Sequence, residues 1–314
     1  MLINIAIVLK IMATDPLSDI IALLNPSAPF SKLVEGVGQW RVRRELDGRP
    51  IYCAVLEGSC CVRVEGMPPM VLHAGDFVLS PATQEQVIES VPPPRLNQED
   101  QPFPMAEGHY KVGDKTAKAD VRLQIGLCSF ETPDASLLIT LLPRQVIVRS
   151  EPRLGTLMQL VAQESRTERP AREHVISRLL EVLMIEALRA GEENVSQTGL
   201  ARGLMDGKLA VSLRAIHARP DHRWTVSELA ANSAMSRSVY FSRFQKLVGV
   251  TPMEYIATWR MAIAKKLLRA NRLQLHEIAN AVGYGSTTTF GVAFARHVGV
   301  TPRRYALASH QSNG

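Results

Sequence analysis

The chain reads as an α+β protein with an N-terminal antiparallel β-barrel or sandwich, a helical linker, and a C-terminal all-α domain carrying two helix-turn-helix motifs. Three observations lead there. Short runs rich in Val, Ile, Cys and Leu, bounded by Gly, Pro and Asp, fill the stretch from Trp40 to Leu142; helical periodicity takes over after Pro152; and a block of sequence recurs at a 50-residue offset near the C-terminus. The length of 314 residues exceeds one ordinary core at about 100 to 200 residues per domain. With 46% hydrophobic and 21% charged residues the chain can bury real cores and does not resemble a disordered one.

The elements follow in order. Met1 to Met12 is apolar but only about half the ~20 residues needed to cross a bilayer, and it lacks the basic start and cleavage site of a secretory signal. No membrane anchor is expected, and either Met1 or Met12 serves as the start. A polar helix start follows at Asp15-Pro16-Leu17. Ile51 to Glu57, Cys60 to Glu65, Phe77 to Ser80 and Val87 to Ser90 read as strands, with turn dipeptides at Asp47-Gly48, Glu57-Gly58 and Gly75-Asp76. From Val91 to Lys118 the prolines 92–94, 102 and 104 break the rhythm, which marks either disorder or a functional lid. Cysteines 53, 60, 61 and 128 form no CxxC pair and have no His at zinc spacing, so they are expected as reduced core thiols, consistent with a cytoplasmic protein.

Beyond Pro152, Ile176, Leu179, Leu180, Leu183 and Ala187 form one helical stripe, thickened by Val182, Met184, Ile185 and Leu188. Two surfaces need cover. One is expected against the β domain, and the other either within the chain or against a second copy in a homodimer. The polar stretch Glu192 to Gly199 reads as a linker to a helix near Leu200 to His217. These readings divide the chain at 13–150, 151–218 and 219–310.

The last segment carries the most specific signal. Val248-Gly249-Val250-Thr251-Pro252 recurs as Val298-Gly299-Val300-Thr301-Pro302, and Ser236, Tyr240 and Phe244 recur as Ser286, Phe290 and Phe294. In each copy a short helix (Glu228 to Ala230; Glu277 to Ala279) leads through a turn to a second helix opening on Ser, which is helix-turn-helix order. Thr225 with Glu228, and Thr251 with Glu254, fit the capping box, with Pro252 at the first helical position. Tyr240, Phe244 and Leu247 share one face of the second helix, and Phe290, Phe294 and Val298 do so in copy two. The opposite faces are left for a partner. Pro252 to Ala270 forms an amphipathic rod between the copies, so two second helices could enter major-groove segments about 34 Å apart on one duplex. Charge agrees: residues 219–314 hold 13 Lys and Arg against four acids, a net +9, leaving −3 for residues 1–218.

On Ser227-Glu228-Leu229-Ala230, Met235-Ser236-Arg237-Ser238, Trp259-Arg260-Met261 with Ala264 and Leu267-Leu268, Ile278-Ala279, Val282-Gly283-Tyr284, and Gly299-Val300-Thr301-Pro302 with Tyr305, the region from about Trp224 to Ala308 resembles the DNA-binding domain of AraC/XylS-type transcription regulators. Asp15-Pro16-Leu17-Ser18, Val55-Leu56-Glu57-Gly58 and Gly75-Asp76-Phe77-Val78-Leu79-Ser80-Pro81 are similar to the cupin-like sensory domain often fused to it. The resemblance implies a sequence-specific regulator of promoter DNA, an activator touching RNA polymerase, with repression left open. It places base contacts at Arg237, Ser238, Phe241 and Ser242 in copy one, and at Thr287, Thr288, Gly291 and Val292 in copy two. Arg237 has two readings, a guanine or a phosphate. The basic residues Arg260, Lys265, Lys266, Arg296 and Arg303 are expected on phosphates, supplying affinity rather than sequence choice. Copy one has Ala234 where copy two has Gly283, a cost of about 1 kcal/mol if the backbone there has positive φ. Copy two also lacks a charged or amide side chain on its outer face, so copy one is expected to carry most of the discrimination.

His73 and His109 are isolated, and Gln86 stands where related sequences often place a His. No metal, cofactor or catalytic centre is therefore expected. Glu85, Gln86, Tyr52 and Arg63 are candidates to line a pocket for a small-molecule effector, whose identity the sequence leaves open. The alternative is a cupin-type enzyme with a tethered DNA-binding module.

Overall fold

The computed structural model describes residues 15–130, 135–165, 169–190 and 198–311, without the side chains of 27–30, 136, 137 and 309–311. The apolar stretch Met1–Met12 and most of the linker 192–199 lie outside the described residues. Two compact units emerge, each assembled from separated pieces of chain: residues 25–130 with 143–190, and residues 15–24 with 135–142 and 198–311.

The first unit is a β-sandwich rather than a closed barrel. Its strands are β1 (Pro26–Val37), β2 (Arg41–Glu45), β3 (Ile51–Glu57), β4 (Ser59–Val64), β5 (Met70–His73), β6 (Phe77–Ser80), β7 (Glu85–Ser90), β8 (Phe103–Ala106), β9 (His109–Gly113), β10 (Val121–Phe130) and β11 (Val146–Val148). One sheet runs β11-β6-β3-β10-β1-β9-β8 and the other β2-β7-β4-β5. Pairing is antiparallel except between β1 and β9, which run parallel from Leu33 opposite His109 to Val37 opposite Gly113. Period-2 alternation on the facing strands buries Val34, Val42, Cys53, Cys60, Val62, Ile88 and Leu123 around Trp40 between the sheets. Gly58 turns the chain from one sheet into the other at φ 77°, and a Cβ there would lie 2.3 Å from the Asp120 carbonyl oxygen. All four cysteines are buried and unbridged.

The proline-rich stretch is ordered. Its second half is the β8–β9 hairpin, and its first half is tied to β2: Asp100 accepts from the Arg41 backbone N at 3.0 Å, and the Arg41 side chain donates to the Leu96 carbonyl at 2.7 Å. Arg41 in turn is held by the fully buried Glu89 at 2.6 Å.

Helices α3 (Pro152–Ser165) and α4 (Arg172–Ala190) pack on β1 and on each other, with Ser177 Oγ donating to the Pro26 carbonyl at 2.9 Å. An amphipathic helix needs an apolar surface to cover, and β1 supplies it. These helices therefore belong to the β unit and do not form the separate 151–218 segment expected from the sequence.

The second unit is helical: α1 (Pro16–Leu24), α2 (Ala135–Ile139), α5 (Leu200–Met205), α6 (Gly207–Ala218), α7 (Val226–Asn232), α8 (Arg237–Val248), α9 (Pro252–Ala270), α10 (Leu275–Ala281), α11 (Thr287–Val298) and α12 (Pro302–Gln311). Helix α1, capped by Asp15 through the Ser18 N at 3.0 Å, meets α6 and α2. Asp19 accepts from His217 Nδ1 at 2.9 Å; His217 Nε2 accepts from the Tyr255 hydroxyl at 2.7 Å; and the imidazole stacks on Trp259 with centroids 4.0 Å apart. A helix near the N-terminus is thus wired into the core of the C-terminal unit.

Candidate nucleic-acid interface

Helices α7–α8 and α10–α11 form two helix-turn-helix pairs, with α9 between them. Thr225 and Thr251 each accept from the backbone N of the Glu three residues on, and each Glu returns the bond, completing both capping boxes. Helices α8 and α11 start on Ser236 and Ser286 and end on left-handed glycines, Gly249 at φ 93° and Gly299 at φ 83°. Aromatic packing fixes how each is rotated. Tyr240 packs against Phe244 with its ring tilted, and Phe244 meets Tyr255 edge-on, with centroids 5.7 Å apart at both contacts. Copy two repeats this through Phe290, Phe294 and Tyr305 at 5.6 Å for both contacts.

With those rings facing the core, the outward residues of α8 are Arg237, Ser238, Phe241 and Ser242, all exposed, joined by Val239 and Gln245. On α11, Thr288 and Val292 are exposed, Val292 at 68%, while Thr287 and Gly291 are half-buried. A Cβ at Gly291 would meet nothing within 4 Å, so the helix backbone itself is open there to close approach. Of the eight residues predicted to read bases, the four on α8 and Thr288 and Val292 on α11 are exposed, and Thr287 and Gly291 are half-buried beside the aromatic anchor. Val298 is half-buried and Leu247 likewise, with Val248 taking the buried position at the end of α8.

The basic residues divide. Lys266, Arg296 and Arg303 are exposed. Lys265 is 4% exposed, with its ammonium over the Tyr305 ring at 5.7 Å from the centroid, so it does not stand where a phosphate could reach it. Arg260 is likewise committed inside the protein. Its guanidinium donates to the carbonyls of Pro220 at 2.8 Å and His222 at 2.7 Å and packs over Tyr284, clamping the turn at Gly283. Both corrections have one cause. Helix α9 is buried on nearly all sides, because α10, α11 and α12 cover faces that a single amphipathic stripe would leave wet.

Sequence reasoning passed over Arg243, whose guanidinium leaves the flank of α8 to pair with Asp206, the N-cap of α6. Burial pushes the Asp206 carboxyl up, and hydrogen bonds from the Leu209 N and Arg243 outweigh that, holding it below the usual range. The charge at position 243 was visible; the acid it meets, 37 residues away, was not.

In the β unit, a cavity of about 380 Å³ opens between the sheets. Of the four residues expected to line a pocket, Gln86 does so, whereas Glu85 and Arg63 line a separate outer cleft and Tyr52 is buried with its hydroxyl on Ser31 at 2.9 Å. Lys32, Arg44 and Trp40 line the cavity unannounced by any motif. Among the described residues no three His, Cys, Asp or Glu side chains converge to hold a metal, and no helix is long and apolar enough to cross a membrane.

Comparison with known proteins covers most of the chain. Residues 15–191 match a family model described as Cupin, and residues 229–308 one described as Helix-turn-helix domain. A putative AraC-like transcription regulator of Streptomyces lividans is 33% identical over 302 residues, covering 93% of this chain and 97% of that one. The HTH-type transcriptional regulator AlkR of Acinetobacter baylyi is 28% identical, covering 94% and 100%. A crystal structure of ToxT from Vibrio cholerae O395 aligns over 90% of this chain and 96% of that one at a TM-score of 0.36 and 10% identity. With paired helix-turn-helix geometry at one end, a sandwich at the other and an end-to-end match to such regulators, the chain belongs to the AraC-like transcription regulators, built from a cupin domain and a DNA-binding helix-turn-helix domain.

Proposed function

We infer that this regulator is sequence-specific, reads promoter DNA with both α8 and α11, and is controlled by a signal received in the β unit. The observation that carries this reading is the repeated exposure: matching aromatic anchors 50 residues apart leave Ser238 and Ser242 on α8 and Thr288 and Val292 on α11 exposed at corresponding positions, in a segment of net charge +9. In copy one the open face offers a guanidinium, two hydroxyls and the Phe241 ring, which suit a base edge and a thymine methyl. In copy two only hydroxyls, methyls and bare backbone are offered, so discrimination falls chiefly to α8. Lys266, Arg296 and Arg303 contact phosphates and set register. Activation through RNA polymerase in the cytoplasm follows from the family. Homodimerisation through α4 is supported by Val175, 40% exposed, and Val182, 44% exposed, which lie one turn before and one turn after Leu179.

Selection of bound duplexes from a random pool by the full chain tests the reading: a defined motif is expected, and equal recovery of all sequences overturns it. On the selected duplex, Arg237→Ala is expected to relax preference at one or two base positions, costing about 1–3 kcal/mol there. Arg296→Ala is expected to weaken all duplexes alike and reduce the salt slope by about one. Indistinguishable behaviour of the two variants would dissolve the division between reading and positioning residues.

A further inference from the structure

Outside both helix-turn-helix pairs, the segment from Arg219 to Trp224 is folded onto the turn that leads into α11. Trp224 is buried and anchors it. The indole Nε1 donates to the Arg219 carbonyl at 3.0 Å, the Arg219 guanidinium lies over the ring at 4.9 Å from its centroid, and His222 meets the ring edge-on at 4.4 Å. Arg260 then staples this segment to copy two. The guanidinium that donates to the Pro220 and His222 carbonyls also packs over Tyr284, 5.7 Å from the centroid. With the residues on both sides tied, the backbone at Arg223 is fixed and its side chain is laid along Gly285, where a Cβ would stand 2.7 Å from the Arg223 Nη2. Gly285 directly precedes Ser286, the N-cap of α11.

We propose that Arg223 is a base-reading residue of copy two, its guanidinium reaching a guanine edge in the major-groove segment that α11 enters. The proposal rests on the reading that α11 meets DNA bases, and it assigns to that segment the one group the helix lacks. From Thr287 to Ala295, α11 carries no charged or amide side chain, whereas α8 opens on Arg237. Arg223 brings a guanidinium to the same end of α11 from elsewhere in the chain. It is the N-terminal end of the second helix in such a motif that meets base edges.

The state of the side chain agrees. Arg223 is exposed, and among the described residues its guanidinium has neither a hydrogen bond nor an ion pair, the nearby Asp221 included. Burial first, and the Arg223 charge with it, lower the Arg260 pKa against the opposing pull of Tyr284 and Asp221. Two guanidiniums thus converge on one turn, with the outer one unpaired and facing solvent. Its fixed backbone suits reading better than simple charge neutralisation, because the planar fork discriminates only when it is aimed, and guanine O6 and N7 are the acceptor pair that matches it.

Binding of the full chain to the selected duplex and to its single-base-pair variants tests this. Arg223→Ala is expected to lose about tenfold or more on the preferred sequence by ceasing to distinguish one guanine, in the half of the motif that Arg237→Ala leaves untouched. Duplexes already lacking that guanine should bind parent and variant within about twofold. Arg223→Lys, which keeps the charge without the fork, should lose the same preference. Gly285→Ala crowds only the far end of the Arg223 side chain, so it should leave the urea midpoint no lower, weaken the same guanine preference, and change nothing further once residue 223 is alanine. A uniform loss on all duplexes that Arg223→Lys restores marks a phosphate contact and overturns the proposal. So does Arg223→Ala with every base preference intact, or a loss spread over the whole motif with a lowered urea midpoint. Thr288→Ala combined with Val292→Ala separates the two readings. If that pair alters preferences in its half of the motif and Arg223→Ala does not, this proposal alone fails; if neither alters any preference, reading by α11 fails with it.

Discussion

Ala234 holds φ 50°, a left-handed conformation that costs an L-residue about 1–2 kcal/mol, at the turn where copy two has Gly283 at φ 77°. Ala234→Gly is accordingly expected to raise the stability of the helical unit by about 1 kcal/mol or less, measured as the shift in urea midpoint. The reverse exchange, Gly283→Ala, should destabilise twice over, since a Cβ there would lie 2.4 Å from the Arg260 guanidinium and 2.6 Å from the Asp221 carbonyl oxygen. This strain was legible beforehand, because the repeat put a non-glycine in register with a glycine. His217 was not legible as anything but a helix residue; its meaning lies in Asp19, 198 residues away. Burial lowers the His217 pKa below its ordinary value, with Asp19 and Asp15 pulling the other way without prevailing. The unfolded chain then takes the proton more readily than the folded one. The stability this confers is present above about pH 6.5 and is lost as pH falls below it. Urea midpoints at pH 7.5 and 5.5 should drop for the parent protein and drop less for His217→Gln.

The helices that present the reading faces owe their starts to local chemistry. In α9 the Thr251 hydroxyl accepts from the Glu254 N at 3.3 Å, and the Glu254 carboxylate accepts from the Thr251 N at 2.9 Å. Thr251→Ala should cost about 1 kcal/mol of stability, read from thermal unfolding, and should move α9 without touching any residue of either reading face. Such caps, together with the period-4 aromatics, made α7 to α11 readable from sequence, as the turn dipeptides did for β3, β4, β6 and β7. The order of the proline-rich stretch escaped notice because its fixing contacts, Arg41 with the Leu96 carbonyl in its first half and the pairing of β9 with β1 in its second, are non-local and outweigh a composition that argues for disorder. Lys265 and Arg260 were misplaced for a related reason. Periodicity reports that a helix has an apolar face, but α9 is enclosed by several neighbours, and the number of neighbours is a property of topology.

The cavity between the sheets was only partly foreseeable, since Gln86 drew attention while Lys32 and Arg44 carried no motif; they came to line it only when β1, β2 and β7 aligned. The helical unit was foreseeable in kind and not in extent. Helix α1, with Ile20 fully buried and Leu24 likewise, belongs to it despite standing at the other end of the sequence. Ile20→Ala in the full chain should therefore destabilise the helical unit by about 2–5 kcal/mol and weaken duplex binding, whereas a β-unit core exchange such as Val62→Ala should leave duplex affinity intact at temperatures where the protein stays folded.

That placement of α1 bears on biosynthesis. The imidazole that donates to Asp19 and the hydroxyl beyond it are translated about two hundred residues after α1. Until then its oily side has α2 to meet but not α6, and the DNA reader is unfinished. Release of a competent regulator should consequently wait on the capture of α1, and a chaperone that shields it in the interval should govern how much active protein a cell obtains.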